Sequence, residues 1–565
     1  MNRLSMKWFN KPNFILVVII LVSAILRFSV LDDPNGLWYD EIVSYKEATM
    51  PNIIHLIFYT LTTDIHLPLY PILLHWWGKL TSFSDFSLRE LSAIFGIANV
   101  FVAYLIGKEL KSKEAGLICA SVFALNSFLI FYSQEVRVYA LLMLLSSIYL
   151  LFLLKIKNNY KNKWNYLFSV ICMVLIFYSS IFSFMFLFFN VLAFVIYLLL
   201  SNHPEKKERL KYFLIPKSII LLVSFPMILY LLINQKHYFT QINGFYNDWS
   251  SLFVLLQNWF TPVLNGLFNN PRHYMQDFVS GFDISALVFI LIPIVLSIFF
   301  IIYACKKDKF SFLLLSVPLL FLLTEIIAVH YTNFKILPRY TSIIFPNVLI
   351  LVGYGLSQID FKKYTKYILL IIFLGINLFH LIVAKDSAFR ITRHGYRPLG
   401  QVLNSINLKD DDFVVVWNRT EILDRYVHKD LNVLSLLKHF AYSSEPVLEK
   451  DEYLKTLPLN TRKKLLRFYF GDGDIPGNTI YLMNVIYKYL KPGQKFIIIT
   501  NRHFDKYTQK SFIELVKNNQ QYNETSFNDL LTIKALVNLK KVCYAKFRLV
   551  AKLNKEQFDI IIFEK

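Results

Sequence analysis

The sequence predicts a polytopic α-helical membrane protein that carries a soluble α/β domain at its C-terminal end. Apolar runs of about 20 residues recur through residues 1–384, the length that crosses a bilayer as a helix. Hydrophobic residues make up 55% of the 565 and aromatic residues 17%, a richer apolar content than soluble domains carry. Lys and Arg gather in every second loop, the pattern of chains whose basic loops stay in the cytoplasm.

By the length rule about eleven spans lie near 13–31, 89–107, 115–132, 137–154, 165–180, 182–200, 213–234, 284–304, 311–330, 340–358 and 367–384. The stretch 165–200 is too long for one crossing, and Tyr178-Ser179-Ser180 is the expected break. Arg3, Lys7 and Lys11 precede the first span, which has no small-residue cleavage site after it and reads as an uncleaved anchor. With the N-terminus inside, the inner loops hold Lys108, Lys111 and Lys113; Lys155, Lys157, Lys161 and Lys163; Lys206, Lys207, Arg209 and Lys211; Lys306, Lys307 and Lys309; and Lys362, Lys363 and Lys366. An odd number of spans then leaves the C-terminal part outside. The chain is expected in the plasma (inner) membrane, and its net charge of +21 follows from topology without any nucleic-acid partner. Four cysteines, Cys119, Cys172, Cys305 and Cys543, form neither a disulfide framework nor a metal motif.

Residues 1–384 are read as the membrane domain and 385–565 as one extracytoplasmic α/β domain. Asp412 to Trp417, Lys495 to Thr500 and Phe558 to Phe563 read as buried strands, and Thr508 to Asn518 as a helix between strands. Gly471-Asp472-Gly473-Asp474 lacks the spacing of a phosphate or Ca²⁺ loop and reads as a surface turn. Two outer loops are long. The first, 32–88, has amphipathic stretches (Ile53, Ile54, Ile57 and Phe58; Leu69, Ile72, Leu73, Trp76 and Trp77) that suit interfacial helices with tryptophans at headgroup depth. The second, about 235–283, carries Tyr238, Phe245, Tyr246, Trp249 and Trp259, aromatics that suit the membrane surface or a sugar.

Four polar segments fall on the outer side of this topology: Asp40-Glu41; Asp64-Ile65-His66-Leu67-Pro68-Leu69-Tyr70; Asn126 through Tyr139; and Pro338-Arg339-Tyr340. Carboxylates beside a membrane are costly unless they face water or a site, so Asp40-Glu41 points to chemistry at the surface. Together the segments resemble the GT-C glycosyltransferases, in the bacterial branch related to protein O-mannosyltransferases and aminoarabinose transferases. Trp38-Tyr39-Asp40-Glu41 looks like that family's tryptophan-x-Asp-Glu motif. His66-Leu67-Pro68-Leu69-Tyr70 is similar to its His-Pro-Pro-Leu-Tyr, with one proline replaced. Arg89 to Gly96 resembles its Arg-Leu-Pro-Ser-Ala-Leu-Phe-Gly, again without the proline. Tyr132 to Tyr139 is close to its pattern, and Pro338-Arg339-Tyr340 followed by Pro346 matches its late arginine motif. The likeness covers about 30–360 and does not extend to 385–565.

The resemblance implies a transferase that moves a sugar from a polyprenyl phosphate to an extracytoplasmic glycan, lipid or protein. An acceptor hydroxyl must lose its proton as it attacks the anomeric carbon, and Asp40 takes the place of the family's base. The leaving lipid phosphate is anionic and calls for cations; Arg137 and Arg339 are the candidates, with His66 as helper. Glu41, His66, Glu135, Arg137, Arg339 and Tyr340 make up the expected substrate-binding set. Arginines at phosphate leave no requirement for a cofactor; a divalent metal at Asp40, Glu41, Asp64 and His66 has no dedicated cage in the spacing, so no metal ligand is assigned.

Plainer roles compete with each assignment. Asp40 suits a helix cap, Arg137 an interfacial anchor paired with Glu135, and Tyr139 helix packing. A transporter or flippase of lipid-linked sugars is the alternative function. It predicts charges at mid-membrane, where Glu325 is the main one. A nonenzymatic receptor with 385–565 as sensor leaves Asp40, Arg137 and Arg339 unexplained together.

Overall fold

In the computed structural model a helix lies over each of the eleven apolar segments, and their ends show why the sequence breaks where it does. The structure describes residues 11–64, 66–201, 205–233, 284–331, 338–359, 364–392, 396–405, 413–416, 423–426, 432–435, 495–501, 548–555 and 558–564. The second long outer loop, the 508–518 stretch, Gly471 to Asp474 and Cys543 lie outside them, as does the side chain of Glu325. The chain divides into two units, one of Met1–Asp33 with Val43–Thr392 and the other of Pro34–Ile42 with Arg393–Lys565.

The first unit is helical: α1 (Lys11–Phe28), α2 (Tyr39–Ala48, its later part), α3 (Ile53–Thr63), α4 (Leu69–Leu80), α5 (Asp85–Leu110), α6 (Lys113–Leu125), α7 (Ser127–Tyr132), α8 (Tyr139–Asn158), α9 (Lys163–Phe177), α10 (Ser183–Leu200) and α11 (Lys206–Ile233), then helices at Ile284–Lys307, Lys309–Tyr331, Phe345–Ser357 and Thr365–Thr392. Among the described residues three helices are long and apolar enough to cross a membrane, α5, α8 and α10. A fourth joins them if the two halves of α11, Lys206–Ser218 and Val223–Tyr230, count as one span bent by 54°. Pro226 contributes to that bend, because it has no N–H for the carbonyl four residues back.

Helix starts obey local chemistry. The side chains of Asn52, Ser84, Ser112, Asn126 and Asn162 each accept a backbone N–H from the first turn of the helix they precede. The last turn of α6 is capped from another helix. Arg27 of α1, fully buried, donates to the carbonyls of Phe123 and Ala124 at 3.1 Å each and to Ser23 Oγ at 2.6 Å. Gly96 of α5 makes room for it: a Cβ there would sit 2.8 Å from Arg27 Nε.

Helices α5 and α6 cross at Gly107 and Gly116. A Cβ on Gly116 would lie 2.6 Å from the Tyr104 carbonyl oxygen, and one on Gly107 would lie 2.8 Å from Gly116 Cα. Small residues let two backbones approach this closely in an apolar medium. Gly116→Val is therefore expected to destabilise the membrane unit by about 1–3 kcal/mol, read as a lower thermal midpoint in detergent. An unchanged midpoint would show that the crossing relaxes freely.

The first-loop helices α3 and α4 expose Ile54, Phe58, Trp76 and Leu80 and bury Leu56, Tyr70 and Leu74. The two tryptophans divide. Trp76 faces outward as expected, while Trp77 turns in and donates its indole N–H to the Ser87 carbonyl at 2.9 Å. One residue along a helix is a 100° rotation, so adjacent tryptophans cannot share a face.

In the second unit five strands form a mixed sheet in the order β2-β1-β3-β5-β4, with β1 at Phe413–Val416, β2 at Asn432–Ser435, β3 at Lys495–Asn501, β4 at Arg548–Lys555 and β5 at Phe558–Glu564. Strand β1 runs parallel to both β2 and β3, and β5 is antiparallel to β3 and β4. Helices Tyr396–Ser405 and Leu423–Tyr426 belong to this unit, and the segment Pro34–Ile42 is fastened to them. Leu37 N–H donates to Tyr426 Oη at 2.6 Å, and Arg397 N–H donates to the Asn35 carbonyl at 3.2 Å. Gly36 has φ +79°, and a Cβ there would run into Tyr426 Oη, so both its dihedral and its surroundings require glycine.

Candidate active site

Between α3 and α4 the chain carries Asp64, His66 and Leu67 in the interior, with Leu67 fully buried. A buried connector needs partners for its backbone groups. It finds them in the break between α9 and α10, the one expected at Tyr178 to Ser180. His66 pairs with Ser180 in an antiparallel bridge, Leu67 N–H donates to the Ser179 carbonyl at 3.3 Å, and Leu69 N–H donates to the Tyr178 carbonyl at 3.1 Å. The break thus fixes where His66 stands.

Arg137 arrives from the turn before α8. Its own N–H bonds the Glu135 carbonyl at 2.8 Å, and its carbonyl accepts from Ser92 Oγ at 3.5 Å. Its guanidinium pairs with the carboxylate of Asp64. Arg137 Nη1 donates to Asp64 Oδ2 at 2.8 Å and Nη2 to Oδ1 at 3.4 Å, and Nη1 also reaches Ser44 Oγ at 3.2 Å. Asp64 meets the planar fork bidentately. Asp64 Oδ1 also accepts the His66 N–H at 3.1 Å, so the pair holds the histidine backbone as well.

Burial and charge then set the protonation states. Burial alone would raise the Asp64 carboxyl, but Arg137, His66 and their hydrogen bonds outweigh it and hold it down at about 2. Glu47, buried in the same cluster, goes the other way: burial first and the Asp64 charge second push its carboxyl well above the usual range. Burial, aided by the charges of Arg137 and Arg339, pushes the His66 imidazole down to about 3 against the pull of Asp64. At neutral pH the cluster therefore holds a charge-balanced Arg137–Asp64 pair and a neutral imidazole, beside a Glu47 carboxyl shifted towards its protonated form.

Tyr139, expected to serve packing alone, sets its ring edge-on to His66 at 5.6 Å between centroids and its hydroxyl 3.5 Å from His66 Nε2. Arg339, in a 3-10 turn over Pro338–Thr341, is half-buried, with its guanidinium 5.6 Å from the Tyr340 ring centroid. Tyr340 stacks on Phe182 at 4.8 Å, in the same break that holds His66. Glu135 is buried.

The structure thus brings His66, Glu135, Arg137, Arg339 and Tyr340 into one unit and adds Asp64, Ser44, Glu47 and Tyr139 from outside the expected set. Asp64 was visible as part of a motif, but its pairing across 73 residues had no local signal. Asp40 and Glu41 belong to the other unit. There Asp40, half-buried, stands in the first turn of α2, and Glu41 reaches back to accept the Trp38 N–H at 3.1 Å, one half of a capping box. Among the described residues no group of three or more His, Cys, Asp or Glu side chains is arranged to hold a metal.

Apolar helices around a buried charged cluster, three of them among the described residues long enough to cross a bilayer, define a multi-pass membrane protein. Residues 66–230 match the family model described as dolichyl-phosphate-mannose-protein mannosyltransferase. In structure the chain is similar to ArnT from Cupriavidus metallidurans in the apo state, at 10% identity, TM-score 0.53, and coverage of 97% of each chain. It is also similar to the apo oligosaccharyltransferase of Archaeoglobus fulgidus, at 13% identity and TM-score 0.50, covering 90% of this chain and 72% of that one. No curated protein matches the chain in sequence. The family-model match over residues 66–230 and the shared fold make the chain similar to the GT-C glycosyltransferases.

Proposed function

We propose that this protein transfers a sugar from a polyprenyl-phosphate donor to an extracytoplasmic acceptor, with Asp40 as base. The acceptor oxygen bonds the anomeric carbon, its proton passes to the Asp40 carboxylate, and the bond from that carbon to the phosphate oxygen breaks with its electron pair on the lipid phosphate. Arg339 meets the developing phosphate charge, since Arg137 is already neutralised by Asp64 and serves to hold His66. His66, neutral and buried, with Nδ1 unbonded among the described residues, offers a hydrogen bond to the phosphate or the sugar. The reaction is written without a metal, the phosphate charge being met by arginine.

The observation that supports this reading most is the gathering of His66, Tyr139, the Arg137–Asp64 pair and Arg339 from three separate sequence segments. The kinship adds to it: ArnT from Cupriavidus metallidurans is also known bound to undecaprenyl phosphate, in a form matched at TM-score 0.49 and 12% identity. The proposal includes the eleven-span topology with a cytoplasmic N-terminus, an extracytoplasmic domain at 385–565, and residence in the plasma membrane.

The test is transfer from labelled polyprenyl-phosphate sugars in membranes that contain wild type or Arg339→Gln. Wild type is expected to label an acceptor, and the variant to lose about 10²–10³ in kcat at equal protein level. Equal rates would remove Arg339 from the phosphate. Movement of label across the membrane without any transfer would favour a flippase.

A further inference from the structure

The membrane unit holds a second polar site that the proposed reaction does not use. A cavity of about 420 Å³ lies between α9, α10 and α11 at the bend of α11, within the size range of small-molecule sites. Its walls are apolar, with Met173 and Phe177 from α9 and Phe184 and Phe188 from α10, apart from Lys217, Ser218 and Ser224 of α11. Lys217 is 6% exposed. Its ammonium donates to Ser169 Oγ at 3.3 Å and lies 3.9 Å over the Phe213 ring, and among the described residues no carboxylate pairs with it. Ser224 Oγ is buried and without a hydrogen-bond partner among the described residues. An ionisable side chain within a membrane helix is costly and marks a site unless it is paired.

We infer that this cavity binds an anionic phospholipid, its phosphate at Lys217 and an acyl chain along the apolar wall. The cavity meets lipid and not water, because its rim rings Phe184 and Phe188 are both 54% exposed on α10, a membrane-crossing helix. An occupant that enters from the bilayer and neutralises one ammonium is an anionic lipid. The direction of polarity selects which. Lys217 leans on Ser169, about 12 Å along α9 from the break that holds His66, and towards the end of α11 that carries Lys206, Lys207, Arg209 and Lys211. A phospholipid of the leaflet at that basic end has its head at Lys217 and its chain pointing towards the break. A polyprenyl phosphate poised for transfer has the reverse orientation, with its phosphate at His66 and Arg339. Basic pockets between membrane helices on the basic side are recognised lipid-phosphate sites.

Native mass spectrometry of the purified full chain tests this independently of any transferase activity. Wild type is expected to retain one anionic phospholipid, and added anionic lipid to raise its thermal midpoint where zwitterionic lipid does not. Lys217→Met is expected to lower retention about tenfold, and Ser224→Leu, which fills the cavity and leaves the cation in place, to do the same; Lys217→Arg keeps the lipid. Undiminished retention in Lys217→Met, a preference for zwitterionic lipid, polyprenyl phosphate as the retained species, or no lipid response at all overturns the inference.

Discussion

Replacing Asp40 with Asn is expected to cut sugar transfer by about 10²–10⁴-fold while the protein stays folded. The substitution keeps shape and volume in the first turn of α2 and removes the one property the reaction needs, a carboxylate that accepts a proton. Its structural cost is small. A carboxylate near a helix N-terminus contributes about 0.3–1 kcal/mol through the dipole, and Asn loses only part of that. The neighbouring Glu41 makes the contrast. Its carboxylate holds the Trp38 N–H, so Glu41→Gln acts on the start of the helix before it acts on chemistry. Measuring kcat with a labelled donor beside the thermal midpoint separates the two, and a kcat unchanged in Asp40→Asn would assign the base elsewhere.

The second large effect is on stability. Arg137→Met leaves Asp64 buried, charged and without its guanidinium, at an expected cost of about 3–5 kcal/mol. Domain stabilities run about 5–15 kcal/mol, so this is a large fraction of the whole. The double change Arg137→Met with Asp64→Asn removes both charges and keeps an oxygen for the His66 N–H, and it is expected to recover most of the lost stability. Transfer stays impaired, because the ion pair that fixes His66 is gone. A double variant as unstable as the single one would mean that Arg137 contributes by packing and by Ser44 rather than by pairing with Asp64.

How much of this was legible in the sequence depended on the range of the interactions involved. Long apolar runs located the helices, and Tyr178-Ser179-Ser180 located a break, because both are local properties. Strands β1, β3 and β5 were legible as continuous apolar runs; β2 and β4, with Asn432, Arg548 and Lys552 among their residues, were not. The motifs were visible as strings, but a string does not say which way a side chain points. Arg89 turned out to donate to the Leu31 carbonyl at 2.9 Å and Gln134 to the Leu26 carbonyl at 2.8 Å, so the two fasten the last turn of α1 and the residues just beyond that helix. Arg137, from the same run as Gln134, goes to Asp64 instead. Glu47 carried no signal at all, since an acid near a helix end is ordinary and only its burial makes it unusual.

The latch of Gly36 and Leu37 onto Tyr426 alters what counts as a module in this chain. The nine residues that end at Ile42 are encoded near the N-terminus, yet they fold with a partner encoded some 350 residues later. An exchange of C-terminal parts between relatives, by recombination or by an engineer, cannot be made with a single crossover near residue 392. The incoming part would meet an acidic loop shaped for another tail, and Gly36 would face the wrong ring. Inheritance of the Asp40 loop and of the far end of the chain is thereby coupled, and a change in one is a change in the surroundings of the other.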